Sequence, residues 1–335
     1  MLNRTNAPKT VSQSQLPDSL DGRVPAFDAE VPPGGYRWWY LDGVSHCGTY
    51  GLTIIAFIGS VFSPYYAWSG RKRPENHVAM NVALYGPREN LWAMTERGSR
   101  ALKRESANIQ IGPSRMSWDD RGLDLEFNEV TVPRPPQQFL PRRIGGRIRV
   151  SFDTTNRKVF KLDDHGRHNW WPVAPVASIE TQFSNGTAQD WSGHGYLDAN
   201  WGEEPLESGF RRWDWARTRC ENEQAVVVYD VEPVDGPRRT LQLHFTKSGS
   251  HVLNSELKKE DLPTGFWGVR RSVLSESRAK SVRTLEDSPF YVRSMIETDL
   301  LGATRTAMHE SFNGDRFRSP FVKMMLPVRM PRLAF

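Results

Sequence analysis

Two short stretches carry residues able to do acid–base chemistry. His194 to Gly202 reads HGYLDANWG, and Arg167 to Pro175 reads RHNWWPVAP. A strand alternates its side chains between two faces. Tyr196 and Asp198 therefore share a face, and so do His168 and Trp170. If the two stretches are neighbouring strands, a carboxyl, a phenol, an imidazole and an indole surround one apolar cavity. Such a set can protonate an alkene. Burial disfavours a carboxylate anion, so an acid in an apolar pocket keeps its proton near neutral pH and acts as a general acid. The face of an indole stabilises the resulting carbocation by about 0.5–2 kcal/mol. A water held by His168 or Tyr196 then quenches it. Each residue also has a structural reading. Asp198 can cap a turn, His168 can be a hydrogen-bonded core histidine, and Tyr196 and Trp201 can be core aromatics. Spacing alone leaves both readings open.

Other chemistries find no support. No GxGxxG, Walker loop, GxSxG or HExxH occurs, so nicotinamide, ATP, zinc and serine-hydrolase chemistry lack their motifs. Cys47 and Cys220 are far apart and form no metal or redox spacing, which fits a reducing compartment. The expected reaction thus uses no cofactor and no metal. The net charge of +5 comes from short scattered basic clusters, such as Arg71-Lys72-Arg73 and Arg142-Arg143. No nucleic-acid motif accompanies them. They suit either ordinary solubility or an anionic membrane surface. The N-terminus lacks the apolar core of a secretory signal. The longest apolar run, Gly51 to Phe62, is too short for a bilayer span of roughly 20 residues.

The elements that must position these residues read as strands. Val78 to Leu84, Leu123 to Phe127, Ile148 to Phe152 and Leu241 to Phe245 alternate apolar and polar side chains or carry an alternating apolar set. Asp120-Arg121-Gly122, Asp164-His165-Gly166, Ser184-Asn185-Gly186 and Asp235-Gly236-Pro237 supply turns. Short helices are expected at 255–261 and 306–312 only, and residues 1–30 read as a polar tail. Many short strands with frequent turns predict an all-β sandwich or barrel, and the length suits two such units. Gly35 to Tyr40 (GYRWWY) and Gly209 to Trp215 (GFRRWDW) form a weak internal echo. Eleven of the twelve Trp residues precede position 216, so aromatic surface for an apolar ligand is concentrated there.

Four stretches together resemble the carotenoid 1,2-hydratase (hydroxyneurosporene synthase) family of purple phototrophic bacteria. They are WWYLD (Trp38 to Asp42), GLTIIAFIGSVFSPYYAW (Gly51 to Trp68), HNWWPVAP (His168 to Pro175) and GYLDANWG (Gly195 to Gly202). One departure is His46-Cys47-Gly48, where the family has a more acidic segment. The resemblance implies two tandem lipocalin-like antiparallel β-barrels with a few short helices, over residues 31–187 and 188–328. It implies no cofactor. It implies addition of water to the terminal double bond of acyclic carotenoids such as neurosporene or lycopene, in the spheroidene and spirilloxanthin pathways. Asp198, Tyr196, His168 and Trp170 match the family's essential residues, with Asp198 the proton donor. Trp38, Trp39, Tyr65, Tyr66, Trp171 and Trp201 become candidates for the substrate wall, with Trp68 at its rim. Peripheral contact with the cytoplasmic side of the photosynthetic membrane follows from an apolar substrate dissolved there. Two other classes fit the same residues: a non-catalytic carrier of apolar pigment, and a polyene or polyketide cyclase.

Overall fold

The computed structural model describes residues 9–10, 13–15 and 25–333, apart from 136, 185 and 254. The tail expected over residues 1–30 lies largely outside the described residues. Antiparallel strands dominate, as the alternation predicts. Three predicted strands fall within Val78–Tyr85, Gly122–Val130 and Arg239–Thr246, and the fourth overlaps Arg143–Ser151, which ends one residue before the predicted Phe152. The two expected helices are strands instead. Residues 306–312 lie in Ala303–Asn313, between Phe210–Cys220 and Tyr291–Leu300. Lys258–Leu262 pairs with Arg271–Ser275. Partner strands satisfy the backbone groups that a short helix would have to satisfy alone, against a costly nucleus.

The chain forms two compact units. The smaller holds Phe160–Asn169, Leu206–Val322 and the described residues up to Gln13, and the larger holds Ser14–Val159, Trp170–Pro205 and the described residues from Lys323 on. A cut at 187/188 does not separate them. Ser192–Gly202 belongs to the larger unit, where it pairs with Tyr36–Ser45.

In the smaller unit, the sheet runs Arg239–Thr246, Gln224–Pro233, Phe210–Cys220, Ala303–Asn313, Tyr291–Leu300, Ala279–Asp287. Its apolar core includes Val226, Val228, Ile296 and Ala307.

The larger unit has one long sheet. Its path is Asn90–Arg97, Val78–Tyr85, Gly51–Ile58, Tyr36–Ser45, Ser192–Gly202, His168–Ser184, Arg143–Ser151, Gly122–Val130, Ser114–Asp119, Asn108–Ile111, Leu102–Glu105. Trp39, Leu41, Ile54, Val82, Leu125, Trp171, Leu197 and Ala199 meet in its core. Gly51–Ile58 is buried along its whole length, so the long apolar run is an internal strand and not a surface segment.

The sheets do not close into continuously paired barrels: each path among the described residues ends at two edge strands. The edge strand Asn90–Arg97 is instead covered by the C-terminal segment. Glu96 N–H donates to the Pro331 carbonyl at 3.0 Å, and Leu333 N–H to the Glu96 carbonyl at 2.9 Å. Covering an edge satisfies its backbone groups without barrel closure.

Candidate active site

Ser192–Gly202 lies between Tyr36–Ser45 and His168–Ser184. Its odd-numbered residues Leu197, Ala199 and Trp201 join the apolar core with Trp39 and Leu41. Tyr196, Asp198 and Asn200 consequently point to the opposite face. That face is buried as well, with Tyr196 at 0% and Asp198 at 4% exposure. The candidate acid thus sits outside the apolar core of its own unit, whereas the sequence suggested an interior cavity.

Pairing sets what the acid meets. Tyr196 lies opposite Asp42, Asp198 opposite Tyr40, and Asn200 opposite Trp38. Tyr-Leu-Asp occurs at 40–42 and again at 196–198. The two copies run antiparallel, so each Tyr faces the other copy's Asp. The Tyr40 and Tyr196 rings stand edge-on at 6.2 Å. Tyr40 O–H donates to Asp42 Oδ2 at 3.1 Å.

Three donors converge on Asp198. Trp170 Nε1–H donates to Oδ2 at 2.9 Å, Tyr196 O–H to the same oxygen at 2.9 Å, and Asn200 Nδ2–H to Oδ1 at 2.8 Å. The sequence-predicted trio of Trp170, Tyr196 and Asp198 is therefore hydrogen-bonded together. The Tyr196 phenol is held well above its ordinary pKa, first by burial and then by the charges of Asp198 and Asp42 and the bond to Asp198. It stays a neutral donor at any working pH.

His168 is fully buried in the smaller unit. Its backbone N–H donates to Asp163 Oδ2 at 2.6 Å, and its ring lies 4.4 Å from that of Phe210. Gly209 is what gives the ring room. A methyl at Gly209 would come within 2.0 Å of His168 Nε2 and 2.6 Å of Cδ2. Gly209→Ala is expected to cost about 1–3 kcal/mol through overpacking. A urea midpoint equal to that of the unsubstituted chain would show that the ring is not confined there.

The aromatic candidates divide. Trp38 shares the face of Asp198, half-buried and stacked on Tyr36 at 4.9 Å. Trp39 is a core residue whose indole donates to the Pro25 carbonyl at 2.8 Å. Trp171 is likewise in the core, bonded to the Asn156 carbonyl at 2.7 Å. Trp201 packs at that core under the Arg37 guanidinium, 4.7 Å from its ring. Tyr66 is buried and ties down its loop through the Gly35 carbonyl at 2.8 Å. Tyr65 is half-buried against Trp68, which is exposed. Spacing does not single out Tyr40 and Asp42, whereas alternation places Asn200 on the face of Tyr196 and Asp198. The repeated Tyr-Leu-Asp is the signal that marks the first two. Among the described residues, no cluster of His, Cys, Asp and Glu is arranged to hold a metal ion.

Comparison with known proteins gives the family. The family model described as carotenoid hydratase CrtC matches residues 54–334. The acyclic carotenoid 1,2-hydratase of Thiocapsa roseopersicina is 47% identical over 317 residues, covering 93% of this chain and 76% of that protein. The enzyme of the same name from Cereibacter sphaeroides is 40% identical over 281 residues, covering 83% and 98%. Among solved structures, AttH of Nitrosomonas europaea superposes with a TM-score of 0.55 at 11% identity, covering 83% and 92%. At that identity it speaks for the fold alone. A buried acid among aromatic donors on an all-β frame, with these relatives, places the chain in the carotenoid hydratase family CrtC, and it is a hydratase.

Proposed function

We propose that this chain adds water to the terminal 1,2 double bond of acyclic carotenoids such as neurosporene and lycopene, giving 1-hydroxy carotenoids, with Asp198 as the proton donor. The observation that carries this reading is the donor set around Asp198. The step starts from the neutral carboxyl of Asp198. Once Asp198 has given its proton to the less substituted alkene carbon, Trp170, Tyr196 and Asn200 hold the carboxylate by charge-strengthened hydrogen bonds. Those bonds are stronger after transfer than before, which is what lowers a barrier. The tertiary cation then lies beside a new carboxylate and near the Trp170 and Tyr196 rings, which favour positive charge. Water adds to the cation and loses a proton. Only water is consumed.

Purified protein incubated with lycopene or neurosporene in oxygen-isotope-labelled water is expected to give a product one water heavier that carries the label. Bound ligand of unchanged mass and retention would indicate a carrier. An isomer of new structure would indicate a cyclase.

The same reading includes an anionic membrane surface as the source of substrate. Exposed Phe139 and Leu140 adjoin exposed Arg142 and Arg143. No described helix is long and apolar enough to cross a membrane, so contact is peripheral in this reading. Phosphatidylglycerol vesicles are expected to sediment the chain at low salt. Joint replacement of Phe139 and Leu140 by Ser should weaken that binding by about tenfold or more. Equal sedimentation of both proteins would remove this loop from the contact.

A further inference from the structure

Hydration needs two proton transfers, one to carbon and one from the attacking water. We infer that Asp42 is the second catalytic carboxyl, the base that takes the proton from that water, with the Thr53 hydroxyl orienting it. This rests on the hydration reading above.

Asp42 is fully buried on the same sheet face as Asp198. It faces Tyr196 on one side and Thr53 of Gly51–Ile58 on the other. Thr53 is also fully buried, and its Oγ1 has no hydrogen-bond partner among the described residues. An unsatisfied buried hydroxyl is destabilising. Asp42 is a second buried carboxyl beside it, and it accepts from the Tyr40 hydroxyl at 3.1 Å. Neither group has a packing reason to be polar, because the neighbouring position on that face is the apolar Ile55. Side by side they offer a water one acceptor and one hydroxyl.

Asp42 and Asp198 stand diagonally across one antiparallel pair on one face, which puts their α-carbons about 7–8 Å apart. The cycle starts with the proton on Asp198 and none on Asp42. Tyr196 stands between them as a neutral phenol.

The steps balance. Asp198 gives its proton to the alkene carbon, a C–H bond forms, the π bond breaks, and the cation appears on the tertiary carbon. The water oxygen forms the C–O bond with its lone pair, and Asp42 carboxylate takes the proton that water releases. The cycle closes when Tyr196 passes its hydroxyl proton to Asp198 and takes the proton from Asp42. Neither His168 nor the phenol need serve as the base.

Hydrogen–deuterium exchange separates the two carboxyls. In deuterated water, reversible protonation by Asp198 places deuterium in recovered substrate even when water capture fails. Asp42→Asn is expected to lose hydration by about 10²–10⁴-fold yet still exchange deuterium into lycopene. Asp198→Asn is expected to lose both. Should Asp42→Asn fail to fold, Thr53→Val reads the same step, with hydration down about tenfold and exchange kept. Hydration by the folded variant within twofold of the unsubstituted chain would overturn the proposal, and so would loss of exchange along with hydration. If the unsubstituted chain gives neither labelled alcohol nor exchange, it is the hydration reading itself that fails.

Discussion

Asp198→Asn is expected to reduce hydration of lycopene by at least about 10²–10⁴-fold, the contribution of a placed general acid. The amide keeps the size and most of the polarity of the carboxyl. Its oxygen still accepts from Trp170 and Tyr196, and its NH2 donates to Asn200 once that side-chain amide turns over, so the fold should survive. What it lacks is an acidic proton, and no anion can form for the three donors to stabilise. The measurement is labelled-alcohol yield per enzyme, beside near-ultraviolet circular dichroism as a check of packing. A folded Asp198→Asn variant with activity within threefold of the unsubstituted chain would remove Asp198 as the donor. Asp198→Glu is a useful companion. It restores an acid but moves it by one methylene, so partial recovery would separate acid chemistry from placement. A displaced group loses much of its effect because near-attack geometry is demanding.

The largest effect on stability is expected from Arg332→Met. Glu96 is fully buried on the edge strand Asn90–Arg97. It accepts from His77 Nδ1 at 2.7 Å and forms an ion pair with Arg332. Its Oε2 has no partner among the described residues. Arg332 also donates to the Asn76 carbonyl at 3.0 Å. Removing the guanidinium strands a buried carboxylate, which typically costs 3–5 kcal/mol. Arg332 is 23% exposed, so water screens part of the interaction, and a loss of about 3 kcal/mol is expected. The urea midpoint measures it. The double variant Glu96→Gln with Arg332→Met should recover part of the loss, because the stranded charge is gone. A single-variant loss below about 0.5 kcal/mol would match an ordinary surface change and would mean that the C-terminal segment does not seal this edge.

Much of this protein can be read locally. Alternation at Leu123 to Phe127 and Leu241 to Phe245 predicts strands, because side chains on a half-buried sheet must alternate. The same rule places Tyr196 with Asp198, and His168 with Trp170, on shared faces. A weak helical signal at 306–312 misleads, because flanking strands override it. Trp39 and Trp171, which the family resemblance offers for the substrate wall, lie in the apolar core.

By itself, the sequence determined the strand-rich class, the family motifs and the pairing of residues within each strand. These depend on neighbours a few positions apart. Only the tertiary structure decided three further points. It set Tyr40-Leu41-Asp42 against Tyr196-Leu197-Asp198, turned that polar face away from the apolar core, and put His168 in a different unit from Asp198. The reason is physical. A period of two says that residues share a face, but not which face is the core or which strand lies alongside. Those depend on register across the whole sheet, where a slip of one residue would carry every side chain to the other side.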